Sequence, residues 1–156
     1  MRSVKEYFSF LYKAYISILV IPCLFLLFAL VTTESNRFSE HDIPYLIADE
    51  IVMLIGIIFV YSYSQKQIKV AKGKRGLREK LFFYRKAILI SGIILANISF
   101  FSIVCYIISG EHFFVCTTVF TMVILILNKP SITNLIDKID LEDDEQRILE
   151  NPKSAI

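Results

Sequence analysis

The sequence lacks tryptophan and is poor in the residues that usually mark catalytic or metal sites. It has two histidines, three cysteines and five glycines among its 156 residues. No cysteines form a C-x-x-C pair, the histidines lack metalloprotease spacing, and no glycine-rich nucleotide-binding motif occurs. The chain therefore meets no template for an enzyme. We predict no catalytic residue, no cofactor and no dedicated metal site.

The few cysteines give no sign of a structural disulfide framework. Cys23, Cys105 and Cys116 each lie within an apolar run. Free cysteine is usually a small buried residue, so we expect all three in the apolar core. A disulfide between Cys105 and Cys116 remains an alternative if their end of the protein faces an oxidising compartment.

What the sequence does contain is apolar residues, which make up 55% of it and give a mean hydropathy of +0.58. Soluble domains contain about 45–50% apolar residues. The apolar residues gather in runs, and a helix of about 20 consecutive apolar residues is long enough to cross a bilayer. The runs predict an all-α, polytopic membrane protein whose four-helix transmembrane domain occupies residues 1–130. Its spans lie at about 10–33, 43–64, 87–109 and 112–128.

The first apolar run follows a basic flank, as the core of a signal peptide does. The run from Ala14 to Val31 is longer than the core of a signal peptide, and Ala29-Leu30-Val31 is a poor cleavage site. We therefore expect it to remain as a membrane span, kinked near its middle at Pro22.

The second span carries two carboxylates near its start. Pro44 favours a helix that begins with Asp42 or Ile43 at its cap, which places Asp49 and Glu50 one to two turns inside. Ionisable groups inside a span are costly and often functional, so the two acids are a candidate ion or proton site. The alternative is a later helix start, with Asp49 as the cap.

The longest polar break is the basic segment 65–86, which contains nine Lys and Arg residues and one acid, Glu79. Such segments remain on the cytoplasmic side of a membrane. We therefore predict a cytoplasmic loop here and, with an even number of spans, two cytoplasmic termini. Abundant Ile and Lys without Trp is typical of an AT-rich bacterial genome, which favours the bacterial inner membrane.

The centre of this basic loop is a candidate contact for anionic lipid headgroups or for the acidic tail. The residues concerned are Lys72, Lys74, Arg75 and Arg78. Charge alone does not indicate nucleic-acid binding, because no recognition module accompanies it.

The tail, residues 131–156, is acidic and predicts a short amphipathic cytoplasmic helix capped by Ser131. Its apolar residues recur at helical spacing, at Ile132, Leu135, Ile136 and Ile139. A second short helix, capped by Asp140, is expected to end at Asn151-Pro152. The tail can dock on the basic loop, lie along the membrane, bind a partner, or remain solvated.

Small residues in the third span suggest close helix packing. Gly92, Ala96 and Ser99 share one face, and Gly56 in the second span is a candidate for the matching surface. Asn97 lies mid-membrane and needs a hydrogen-bond partner. These five residues are the candidate helix-packing set.

Both histidines fall on the predicted outer side, among acids. The group comprises Glu34, Glu40, His41, Asp42, Asp49, Glu50, Glu111 and His112. We interpret it as a solvated acidic surface. A metal site assembled between loops is the alternative, although no motif spacing supports it.

These features favour a non-catalytic membrane protein that binds a membrane-protein partner, as an accessory, assembly or immunity-type protein, or forms a homo-oligomer. The alternative is a small oligomeric transporter or channel that uses Asp49 and Glu50. A membrane enzyme with an outer metal site is a weaker third interpretation.

Overall fold

The computed structural model describes residues 3–33, 42–139, 141 and 143–151. Every regular element within these ranges is an α-helix, so the chain is all-α, as the sequence predicts. The helices are α1 (Val4–Thr32), α2 (Ile43–Lys72), α3 (Leu77–Ser109), α4 (His112–Leu127), α5 (Ile132–Lys138) and α6 (Asp143–Glu150).

Three to four of these helices can cross a membrane. α1, α2 and α3 are each long and apolar enough alone. The 16 residues of α4 extend about 24 Å, which is short of the roughly 30 Å thickness of the hydrocarbon layer. α4 reaches the required length only together with α5, from which it is bent by 80°.

α3 is the central helix of the bundle. Half of its most apolar 18-residue stretch is buried, compared with 22% in α1 and 11% in α2. It packs against α1, α2 and α4, which contact one another much less. The outer helices therefore present most of their large apolar side chains outward, as lipid-facing helices do.

The helix ends follow local sequence signals. α2 begins at Ile43, with Asp42 at its N-cap and Pro44 in its first turn. Gly110 ends α3 in the left-handed region (φ 73°), and its N–H donates to the Tyr106 carbonyl at 2.7 Å. α4 begins two residues later, at His112, and packs against α3 as the second arm of an antiparallel hairpin. α1 continues through Pro22 as one helix.

The segment 65–86 is helical over most of its length, and the prediction of a loop was wrong. α2 extends to Lys72 and α3 begins at Leu77, so the chain turns only over residues 73–76. Lys, Arg, Gln and Glu are good helix formers, so both helices continue beyond their apolar parts. We call residues 65–86 the basic hairpin, and the end of the bundle that carries it the hairpin end.

The tail folds back onto the hairpin end. The Ser131 hydroxyl caps α5 by accepting a hydrogen bond from the Asn134 N–H at 3.0 Å. The Tyr84 hydroxyl of α3 donates to the Ser131 carbonyl at 3.2 Å. Leu135 and Leu149 are buried against the bundle. Asp140, the expected cap of the second tail helix, and residues 152–156 lie outside the described residues.

Candidate functional site

Asp49 is fully buried inside the bundle. It lies about two turns into α2, whose N-cap is Asp42, so it does not cap the helix. Its Oδ1 accepts a hydrogen bond from the Ser102 hydroxyl of α3 at 2.6 Å. The carboxylate therefore links the two longest helices through a polar contact inside the bundle.

The second oxygen of this carboxylate, Oδ2, has no hydrogen-bond partner among the described residues. Thr117 of α4 lies beside the carboxylate, and its hydroxyl donates to the Phe113 carbonyl at 3.4 Å. Glu50 is partly exposed. Consecutive helical residues point about 100° apart, so the Asp49 and Glu50 side chains leave α2 in different directions.

Buried hydroxyls of α3 and α4 continue the polar environment of Asp49. The Ser99 and Thr121 hydroxyls are 2.6 Å apart, and Thr121 also donates to the Thr118 carbonyl at 2.8 Å. Such hydroxyl contacts hold membrane helices together. The recurrence of Ser and Thr in both helices is the sequence signal that indicates this surface. The buried members are Ser99, Ser102, Thr117, Thr118 and Thr121.

The small residues accommodate large side chains of different helices and do not face each other. A Cβ at Gly92 would lie 3.2 Å from Cε2 of Tyr15 in α1. A Cβ at Gly56 would collide with Cδ1 of Ile98 in α3. Gly56 therefore does not match the Gly92 face, contrary to our prediction. Close packing here is between glycine and a bulky residue.

The other members of the packing set lie on different faces of α3. Ala96 is buried beside Ser99, whereas Asn97 is exposed on the outer surface of the bundle. The Asn97 amide donates to the Ile93 carbonyl of its own helix at 2.8 Å. The Asn97 side chain thus finds its hydrogen-bond partner within α3.

A buried ion pair fastens the tail to the basic hairpin. Lys80 Nζ lies 2.6 Å from Glu145 Oε2, and their side chains are only 6% and 11% exposed. Lys80 was not among the predicted tail contacts. Nothing in the sequence distinguishes it from the other eight bases of the hairpin, because its burial depends on where α6 packs.

Two of the predicted lipid-contact or tail-contact residues line a basic groove at the start of α3. The groove encloses about 540 Å³, and its cations are Lys74, Arg78 and Arg85. Phe82 contributes an exposed apolar wall. Lys74 also lies 3.7 Å from Glu79, the one acid of the groove. We call this site the hairpin groove, and its charge suits an anionic group.

The other two predicted contacts lie outside the hairpin groove. Arg75 is exposed at the tip of the hairpin. Lys72 lies at the end of α2, where it lines a second opening between α2 and α4.

The metal site considered for the outer side cannot be followed in full, because Glu34, Glu40 and His41 lie outside the described residues. In the part of the chain that the structure describes, no three His, Cys, Asp or Glu side chains cluster closely enough to hold a metal ion. The ring of His112 stacks on Tyr106 with centroids 6.1 Å apart.

The cysteines do not all enter the core. Cys105 is buried and Cys23 partly buried, but Cys116 is exposed on α4, so the expectation of three core cysteines was wrong for Cys116. All three are free thiols, and Cys105 and Cys116 are not bridged.

The bundle thus contains a buried carboxylate with one open oxygen and, at the hairpin end, both a basic groove and a docked tail. The first can accept a proton or a small cation, and the second can accept an anionic group. The chain matches no protein-family model, no curated protein and no solved structure with which it was compared.

Proposed function

We propose that this protein is a non-catalytic integral membrane protein that works by binding another membrane protein, as an accessory, assembly or immunity-type protein. The observation that carries this proposal is the hairpin groove, where Lys74, Arg78 and Arg85 lie beside exposed Phe82. The Lys80–Glu145 pair fixes the tail on the same hairpin, outside the residues that line the groove. A fixed platform loses less conformational entropy on binding than a flexible loop.

The proposal includes four spans, with both termini and the basic hairpin on the cytoplasmic side of a bacterial inner membrane. α4 leads from the Gly110 turn back to the hairpin end, where the Tyr15 hydroxyl donates to the Leu125 carbonyl at 2.6 Å. A span of 16 residues requires a small local thinning of the bilayer. The nine basic residues of segment 65–86 favour the cytoplasmic orientation.

The proposed partner presents an acidic segment with an apolar side chain to the hairpin groove. Three cations line the groove against one acid, Glu79, and an acidic segment complements that balance. A second copy of the chain is a possible occupant that the experiment below distinguishes by mass.

Photo-crosslinking in native membranes tests partner binding. A photoreactive residue at Phe82 should give a discrete adduct, whose mass separates a homo-oligomer from a different partner. The same residue at Leu54, which is exposed on the apolar face of α2, is the position control. Failure to form an adduct at Phe82, or an identical adduct at Leu54, would exclude the hairpin groove as the binding site.

The charge requirement is tested in the same assay. Arg78→Gln with Arg85→Gln should abolish the Phe82 adduct because both cations line the groove. Lys66→Gln with Lys69→Gln removes equal charge from exposed positions elsewhere on the hairpin and should leave the adduct. Equal loss with both double variants would mean that total charge, and not the groove, controls binding.

A second candidate function is a small oligomeric transporter or channel with Asp49 as its ion or proton site. The observation that favours it is the buried Asp49 Oδ2, which has no hydrogen-bond partner among the described residues. Flux into proteoliposomes should then be abolished by Asp49→Asn and reduced less by Glu50→Gln, because Glu50 is partly exposed. Flux that is unchanged by Asp49→Asn would exclude this function.

A further inference from the structure

A cleft of about 530 Å³ opens between α2 and α4 towards the hairpin end. Both helices pack on α3 but contact each other little, so the seam between them is open and α3 forms its floor. The volume lies within the range of small-molecule sites in proteins, about 300–1,000 Å³.

Aliphatic side chains line much of this cleft. Ile57, Val60 and Ile68 of α2 face Ile124 of α4 across the seam. These side chains suit a hydrocarbon chain, because they offer it dispersion contacts. The lining near the hairpin end is more polar and includes Ser64, Gln65 and Asn128.

Ser91 is a polar exception on the floor of the cleft. The residue is only 9% exposed, and its Oγ has no hydrogen-bond partner among the described residues. A buried hydroxyl without a partner is costly, and an acceptor on a ligand that enters the cleft would remove that cost. An ester carbonyl is such an acceptor.

Two lysines line the cleft at the hairpin end. Lys72 is the last residue of α2, and Lys138 is the last residue of α5. Cations at the end of an apolar seam complement an anionic headgroup attached to an acyl chain.

We propose that the α2–α4 cleft binds an anionic glycerophospholipid from the leaflet at the hairpin end. The phosphate lies between Lys72 and Lys138, an ester carbonyl accepts the Ser91 hydroxyl, and one acyl chain follows the seam between α2 and α4. This site shares no lining residue with the hairpin groove and does not depend on partner binding.

Native mass spectrometry of the full chain in a non-ionic detergent measures this binding. Phosphatidylglycerol and phosphatidylcholine with identical acyl chains are titrated separately, and one phosphatidylglycerol should remain bound per chain. Lys72→Gln with Lys138→Gln should weaken its binding at least tenfold, since each lysine near a membrane surface contributes roughly 1 kcal/mol. Lys66→Gln with Lys69→Gln removes the same charge at positions that do not line the cleft and should weaken binding much less than the first double variant.

Three results would overturn the proposal. Equal retention of phosphatidylcholine would show that the headgroup charge is not recognised. Equal loss in the two double variants would indicate a general attraction of lipid to the basic hairpin. Displacement of the lipid by equimolar glycerol 3-phosphate would identify a site for a soluble phosphate, because that competitor has the phosphate without the acyl chain.

Variants of Ser91 test whether the lipid reaches the floor of the cleft, and they leave the charge of the protein unchanged. Ser91→Leu fills the floor of the cleft and should abolish retention of phosphatidylglycerol, whereas Ser91→Ala removes only the hydroxyl and should weaken it severalfold. Thermal unfolding of each variant shows whether the bundle is intact. If Ser91→Leu does not fold, the lysine variants and Ser91→Ala still decide the proposal, and unchanged retention in both would refute it.

Discussion

Replacing Lys80 by methionine removes the ammonium group that neutralises the Glu145 carboxylate in a place largely hidden from solvent. The two side chains are 6% and 11% exposed, and Nζ and Oε2 are 2.6 Å apart. Removing one partner of a buried pair costs about 3–5 kcal/mol when the remaining charge cannot reach water. Here α6 can leave the bundle and carry Glu145 into water. The loss of protein stability therefore cannot exceed the free energy that keeps α6 docked on the bundle.

The burial of Leu149 sets the scale of that docking free energy. Leu149 is 1% exposed, and burying a leucine side chain contributes about 1.5–3 kcal/mol. We expect Lys80→Met to reduce the free energy of docking by about 2–3 kcal/mol, which lowers the ratio of docked to undocked α6 roughly 30- to 150-fold. The apolar bundle should remain folded, because it buries most of its core elsewhere.

Trypsin cleavage after Arg147, an exposed residue of α6, measures this ratio in detergent micelles. Its rate should rise roughly 15- to 80-fold in Lys80→Met, because the undocked fraction would grow from about 3% or less to about one half. Lys80→Met with Glu145→Leu should restore slow cleavage, because apolar residues replace the pair without leaving a buried charge. A rate in Lys80→Met within twofold of the wild type would refute a stabilising role for the pair.

An exposed ion pair of the same hairpin provides the control. Lys74 Nζ and Glu79 Oε2 are 3.7 Å apart, and the side chains are 40% and 59% exposed. Pairs of this kind contribute at most about 1 kcal/mol. Lys74→Met should therefore change cleavage after Arg147 very little. If Lys74→Met raised the cleavage rate as much as Lys80→Met, the increase would come from the overall charge of the hairpin and not from the buried pair.

Two further predictions concern the interior of the bundle and are checked by chemical or thermal unfolding in micelles. Gly56→Ala should destabilise the bundle by about 1–3 kcal/mol, because its Cβ would collide with Ile98. Ile98→Val should recover part of the loss, and Gly73→Ala, whose Cβ would meet only a backbone oxygen at 3.7 Å, should cost little. Ser102→Ala should cost about 1–3 kcal/mol by leaving Asp49 Oδ1 without its donor. The same substitution in an Asp49→Leu background should cost less, and equal costs in both backgrounds would contradict the Asp49–Ser102 contact.

Several elements of the fold were predictable because a local signal determines them. Pro44 marked the start of α2, and Ser131 marked the cap of α5. The helical state of segment 65–86 was missed because polarity indicates where a chain leaves the membrane, and the backbone can remain helical beyond that point.

The candidate sites depended on information that one helix does not contain. The direction of Asp49 depends on the rotation of α2 about its axis, which contacts with α3 determine. Lys80 differs from its basic neighbours only because α6 covers it. Contacts between distant segments decide both features. The sequence could therefore predict that Asp49 was notable but could not identify its partner.

Cysteine labelling of intact cells tests the central claim that the basic hairpin and the tail share the cytoplasmic side, opposite the α3–α4 turn. Single cysteines at Arg75, Arg147 and Glu111 are introduced into a chain whose own three cysteines are replaced by alanine. A membrane-impermeant maleimide should label position 111 in intact cells and positions 75 and 147 only after permeabilisation. Labelling of positions 75 and 111 from the same side would contradict it.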